Sequence, residues 1–240
     1  MESKEREQEK YSGTIAISLG GSILSKKEGY NVRYASEFCE LIKRHRNEKF
    51  AICVGGGKIT REIVSSVSSK IENKALLDEL GIAITRLNAL VLKDLMYAAG
   101  VDVNEVIPTT LEQFKGMHSL HRVTVFGGLM EGITTDADAM LAAELTSSRL
   151  TINIGETPYI YDRNPKEKGA RKLEKLSHED LLLLARAGDN RAPSTNFIFD
   201  YVATLLAKRS GIRLLFVGEE IKDLEAALAG RPHNGSTVEG

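Results

Sequence analysis

Apolar positions fall along the chain in two alternating rhythms. Thr14–Leu19 (TIAISL) is a short, nearly continuous apolar run, and Gly20, Gly21 and Ser22 follow at once. Tyr34–Arg46 then places Tyr34, Phe38, Leu41 and Ile42 at helical spacing, and Phe50–Val54 is a second apolar run, closed by Gly55, Gly56 and Gly57. Short apolar runs bounded by turn residues read as strands buried on both faces. Apolar residues three and four apart read as the helices that cover them. On that rule helices are predicted over Lys58–Ser69, Leu76–Ala99 (broken near Gly81), Leu111–Met117, Thr135–Thr146, Ser177–Ala187, Thr195–Ser210 and Ile221–Ala229. Strands are predicted over Val101–Ile107, Arg122–Phe126, Leu150–Ile154, Arg213–Val217 and Ser236–Glu239. Strands alternating with helices predict an α/β fold whose mostly parallel central sheet is covered on both faces.

Composition narrows the class. The chain has 240 residues, 42% hydrophobic and 27% charged, which suits an ordinary globular protein with a sizeable core. Its 32 Lys and Arg against 33 Asp and Glu leave a formal charge of −1, an argument against a nucleic-acid binder. Trp is absent and aromatics are only 6%, so no stacking platform for single strands is expected. Neither a spanning apolar run nor a signal core is read, so no membrane partner is expected. Cys39 and Cys53 make no disulfide framework and read as core residues of a cytoplasmic protein. Seven of the first ten residues are charged with mixed sign. Residues 1–13 are therefore expected to form a flexible charged tail, and residues 14–240 a single domain. His45, His118, His121, His178 and His233 share no spacing, and no metal-ligand set is read.

Chemistry concentrates where predicted strands end. Gly20-Gly21-Ser22, Gly55-Gly56-Gly57-Lys58, and Gly127-Gly128 leading to Thr134-Thr135-Asp136 share one design. In an open α/β sheet, ligands sit outside the carboxyl ends of the strands. Glycine lets a ligand approach the backbone there, and the following helix N-terminus suits phosphate. Lys58 adds a mobile charge, and Arg61 lies one turn on along the same helix. Each feature has a plain structural alternative: a tight turn for a glycine pair, a helix cap for Thr134-Thr135-Asp136, a surface acid for Asp78. Neither a P-loop nor a GxGxxG dinucleotide motif is present.

These residues carry a resemblance. ISLGGSIL at 17–24, VGGGKITRE at 54–62, LLDELGIAITRLNAL at 76–90 and GITTDADAMLAAEL at 132–145 are similar to the archaeal-type uridylate (UMP) kinases of the amino acid kinase family. YDRNPK at 161–166, KLEKLSHEDL at 172–181, STNFIFD at 194–200, KRSGI at 208–212 and HNGSTVE at 233–239 extend the likeness over nearly the whole chain after the tail. The resemblance implies a three-layer αβα sandwich, with an acceptor site in the N-terminal part and an ATP site in the C-terminal part. It implies a homohexamer and transfer of the ATP γ-phosphoryl group to UMP with Mg²⁺. It places Gly21, Ser22, Gly57, Arg61, Gly155, Tyr161 and Asn164 at ATP. Gly56, Asp78, Gly132, Thr134 and Thr135 fall at UMP, and Lys58, Asp136 and Asp200 in catalytic positions.

Some stretches depart from the family pattern. Residues 155–161 read GETPYIY rather than the usual TNVDGVY, bringing Glu156 and Pro158. Glu131 stands in the turn expected to wrap the acceptor phosphate. Ile17-Ser18-Leu19 lacks the Lys that many non-archaeal relatives carry at the end of the first strand. Two alternatives stay open on these grounds: a non-catalytic nucleotide-binding relative, and a kinase of the same fold acting on another small phosphate or carboxylate.

Overall fold

A computed structural model describes residues 13–26, 29–165, 167–188 and 199–240. The expected tail lies outside them apart from Gly13. So do residues 194–198 of the STNFIFD stretch and the start of the predicted Thr195–Ser210 helix. The chain opens with β1 (Thr14–Leu19) and the single-turn α1 (Gly21–Leu24). A small hairpin follows, β2 (Ser25–Lys26) with β3 (Gly29–Tyr30), and then α2 (Val32–Arg44). Next come β4 (Lys49–Val54), α3 (Gly57–Val67), α4 (Lys74–Ala98), α5 (Leu111–Leu120), β5 (Val123–Phe126), α6 (Thr135–Leu145) and β6 (Leu150–Ile154). The remainder is β7 (Ile160–Tyr161), β8 (Lys172–Leu173), β9 (Lys175–Leu176), α7 (His178–Gly188), α8 (Tyr201–Ser210), β10 (Arg213–Val217), α9 (Ile221–Leu228) and β11 (Thr237–Val238).

Among the described residues seven strands form one sheet in the order β5-β4-β1-β6-β10-β11-β9. The first five are mutually parallel, and β11 runs antiparallel to β10. Alternation along each strand decides what it meets. Ile15, Ile17 and Leu19 of β1 join Phe50, Ile52 and Val54 of β4 on one face, packed against α2, α4 and α9. Ala16 of β1 and Ala51 and Cys53 of β4 face the other side, against α5 and α6, with α7 and α8 farther along. Small residues on both partners let α6 approach closely, through Ala137, Ala139, Ala142 and Ala143. Burial on both faces explains why these strands read as continuous apolar runs. The result is the expected three-layer αβα sandwich.

Two expectations are corrected. α4 runs unbroken for 25 residues through Gly81. A Cβ there would meet only Cγ2 of Thr60 on α3, at 3.4 Å, an ordinary contact, and packing along the helix outweighs the low helix propensity of one glycine. Val101–Ile107 is not a strand, and only Val103 bridges to Val123. The Asn104 side chain takes the place of a ladder, donating to Val125 O at 3.0 Å and accepting from Val125 N at 2.7 Å. A side chain thereby closes the β5 edge of the sheet. The short pairs β2–β3 and β7–β8 went unread, since two residues carry no periodicity.

Candidate functional site

Because β5, β4, β1, β6 and β10 are parallel, their carboxyl ends share one edge. Strand pairing continues into the glycines: Gly20 N donates to Ile154 O at 2.8 Å and Gly55 N to Leu19 O at 2.9 Å. The glycine turns then meet backbone to backbone. A Cβ on Gly21 would lie 2.2 Å from the Gly55 carbonyl oxygen and 2.4 Å from Gly57 N. Gly57 has φ +72°, a left-handed conformation, as it opens α3. Buried Asn88 of α4 locks this junction, donating to Gly55 O at 2.9 Å and Gly56 O at 3.3 Å. Asn88 in turn accepts from Ser25 Oγ at 3.0 Å. Ser22 is half-buried beside the junction, and Lys58 stands exposed at the start of α3.

Across this edge begins α6. Thr134 caps it, its hydroxyl accepting from Ala137 N at 3.3 Å. Asp136 follows within the first turn. Its Oδ1 accepts from Ser18 Oγ at 2.6 Å and from Asn153 Nδ2 at 2.8 Å. Register explains this trio. Ser18 pairs with Asn153 across β1 and β6, and both point to the α6 face, two residues beyond Ala16 and Thr151. Burial, with a smaller push from neighbouring Asp200, raises the Asp136 carboxyl to about 6, while the bonds from Ser18 and Asn153 oppose the rise. Asp200 is the N-cap of α8, accepting from Ala203 N at 2.7 Å.

Beside α6 lies a cleft of about 290 Å³, lined by residues of α3, α4, the turn after β5 and the start of α6. It brings together Arg61, Asp78, Thr134 and Thr135. Asp78 Oδ2 accepts from Gly132 N at 3.0 Å, so α4 holds the loop that leads into α6. Gly132, at φ +80°, makes that turn. Arg61, expected at the ATP phosphates, lines this cleft with residues expected at UMP. Gly155 follows β6, its N–H bonded to Val217 O at 3.1 Å, and a Cβ on Gly20 would lie 3.7 Å from its Cα. Tyr161 sits in β7, and Asn164 accepts from Glu167 N at 2.9 Å. These last two are not in the cleft lining. Both acids that depart from the family pattern, Glu131 and Glu156, are exposed.

The sequence reading missed Ser18, Asn153, Arg86 and Asp138. Arg86 of α4 donates from Nε to Gly128 O at 3.0 Å, fixing the turn after β5. Asp138 of α6 accepts from Leu129 N at 3.1 Å on the other side of the same turn. The first two left only a weak signal, a polar residue near the carboxyl end of a mostly apolar strand, TIAISL or LTINI.

Residues 13–218 match the profile of the amino acid kinase family. The uridylate kinase of Thermoplasma volcanium is 33% identical over 227 residues, covering 94% of this chain and 97% of that protein. That of Methanocaldococcus jannaschii is 31% identical over 232 residues, covering 94% and 99%. The crystal structure of uridylate kinase from Archaeoglobus fulgidus superposes with a TM-score of 0.81 at 28% identity, covering 94% of this chain and 99% of the other. UMP kinase from Ureaplasma parvum shares the fold, with a TM-score of 0.75 at 19% identity over 96% of this chain and 100% of the other.

Proposed function

The chain belongs to the amino acid kinase family, and we propose that it transfers the γ-phosphoryl group of ATP to UMP, giving UDP and ADP. The observation that carries this reading is the convergence of Arg61, Asp78, Thr134 and Thr135 on one cleft beside Asp136. Uridylate kinase relatives matching nearly the whole chain weigh against the two alternatives, a non-catalytic relative and a kinase for another acceptor. In this reading the acceptor site belongs to the N-terminal part of a single domain and the ATP site to the C-terminal part.

Phosphoryl transfer needs in-line placement and neutralisation of charge spread over the phosphoryl oxygens, with little covalent chemistry from the protein. The UMP phosphate lies at the α6 N-terminus, against the Thr134 and Thr135 hydroxyls, with Arg61 as counter-charge. Gly132 shapes that loop, and Asp78 accepts from a ribose hydroxyl. Gly56 closes the acceptor side of the glycine junction. The ATP phosphates lie over Gly21, Ser22 and Gly57, where backbone N–H groups are reachable because no side chain intervenes. Lys58 reaches the transferring group from α3. Gly155, Tyr161 and Asn164 hold the adenosine end. Asp136 orients the cations around the transferring phosphoryl group, and Asp200 sets the electrostatic environment of Asp136. Mg²⁺ carried on the nucleotide phosphates supplies further neutralisation.

A homohexamer in the cytoplasm completes the proposal. No helix among the described residues is long and apolar enough to cross a membrane. The deciding experiment is a phosphotransfer assay with ATP and Mg²⁺ over UMP, CMP, dUMP and isopentenyl phosphate. UDP formation that disappears in Lys58→Ala and Asp136→Asn is expected. UMP binding without turnover, whatever the donor, would replace the kinase with a non-catalytic binder.

A further inference from the structure

The roles above leave one acid of the acceptor cleft unused. Asp138 lies one turn beyond Thr134 and Thr135 on α6, lines the cleft, and is 1% exposed. Its Oδ2 accepts from Leu129 N, but its Oδ1 is buried with no hydrogen-bond partner among the described residues. A buried oxygen without a partner is costly, and its presence in a ligand cleft points to a partner that arrives with the ligand. The walls around it suit a flat ring: Val64 of α3, Leu77 and Ile82 of α4, and Ile133 of the loop are apolar. Phosphate and ribose have partners elsewhere in the cleft, in the Thr134–Thr135 turn, Arg61 and Asp78. The base is the part of the acceptor still unread.

We propose that Asp138 reads the edge of the acceptor's pyrimidine, its free Oδ1 making the hydrogen bond that separates uracil from cytosine. This rests on the cleft being the UMP site. Uracil presents a carbonyl at C4, an acceptor, where cytosine presents an amino group, a donor. A neutral carboxylic acid whose Oδ2 already accepts from Leu129 N donates from Oδ1–H to the uracil carbonyl, and meets cytosine donor against donor. Burial, with a smaller push from Asp200, raises this carboxyl to about 7 against the opposing effects of Leu129 N–H and Arg86. The neutral form is thus present near neutrality. The ionisable groups around it are Arg86 on α4, Asp200 at the start of α8, Cys53 on β4, Asp136 on its own helix, and Arg61 and Asp78 across the cleft. Thr60 Oγ1 is the other cleft oxygen without a partner among the described residues. A hydroxyl both donates and accepts, so it does not discriminate between the two bases.

The test measures UMP and CMP affinities by calorimetry, and kcat/KM for both, from pH 6 to 8.5 in the wild type, Asp138→Asn and Asp138→Val. The wild-type preference for UMP should fall about 10-fold or more as pH rises through 7, because an ionised carboxylate repels the C4 carbonyl. The phosphate of either nucleotide titrates alike, so the ratio cancels it. Asparagine keeps a fixed donor and should hold the preference flat with pH. Valine should remove most of it. A UMP-to-CMP ratio that is constant with pH in the wild type, or unchanged in both variants, would overturn the assignment and leave Asp138 a support for Leu129. UMP binding without turnover would remove the kinase reading, yet the affinity ratios would still decide the role of Asp138. A wild type that binds neither nucleotide would remove both.

Discussion

Asp136 shows how a single side chain acquires a working environment. Two strands deliver Ser18 and Asn153 to one of its oxygens, while burial and Asp200 push against ionisation. If the ionised form orients the cations of the site, kcat/KM for UMP falls on the acid side of about pH 6. The acceptor phosphate ionises in the same range, so displacement of the limb is the diagnostic. Ser18→Ala removes a 2.6 Å bond to the carboxylate and should move the limb to higher pH in a pH–rate profile. Asp78→Ala removes both the proposed ribose acceptor and the bond to Gly132 N. It should raise KM for UMP by about 10-fold or more with a smaller change in kcat, read from steady-state kinetics. Thr134, Thr135 and Asp136 were legible in the sequence because they follow a glycine turn, and Asp78 only through the family resemblance of its helix. Ser18 and Asn153 were not, because the facing of a strand residue depends on the layer that packs against it.

Elements are joined here through absent side chains. α1 and α3 begin where Gly21 and Gly57 let two turns touch, so Gly21→Ala drives a methyl into backbone that cannot rotate away. A loss of about 3 kcal/mol or more is expected by urea denaturation, with ATP binding impaired. Gly132→Ala is the contrast: nothing lies within 4 Å of its Cβ, but φ is +80°. A loss of about 1–2 kcal/mol is expected there, with the effect on KM for UMP exceeding the effect on folding. Element type was legible wherever the apolar period ran long. It failed at Gly81, where packing carries α4 through a glycine that local propensity would read as a break. It failed again at Val101–Ile107, where alternation is real but Asn104 supplies the edge hydrogen bonds.

The whole molecule carries a cost for these acids. Asp136 and Asp138 both titrate above their ordinary value, at about 6 and about 7. In that window the folded protein binds more protons than the unfolded chain, so their contribution to stability is complete below about pH 4 and is lost as pH rises through 6 and 7. Asp138→Val should therefore gain in Tm relative to the wild type as pH is raised from 5 to 8, by calorimetry. Other carboxyls, such as Asp102 and Glu144, are held below their ordinary value by His121 and Arg209 and act in the opposite sense, so the difference between variants is the readout. At the same scale, Leu76, Leu87, Leu90 and Tyr97 leave α4 with exposed apolar positions. If α4 helps build the proposed hexamer, Leu87→Glu with Tyr97→Glu should yield a smaller species by light scattering.

By itself the sequence determined the main alternation of strands and helices, the mostly parallel sheet and the three glycine turns. Those follow from local periodicity and from backbone freedom, which are properties of short stretches. Only the tertiary structure decided which polar side chains meet. Ser18 and Asn153 lie 118 and 17 residues from Asp136 along the chain, and sheet register makes them one site. Asp138, two residues past a motif that could be read, became a candidate for recognising the base only when α4, the turn after β5 and α6 enclosed it and left one oxygen without a partner. Charge balance in the chain hid this, because a buried acid counts the same as a solvated one until packing removes its water.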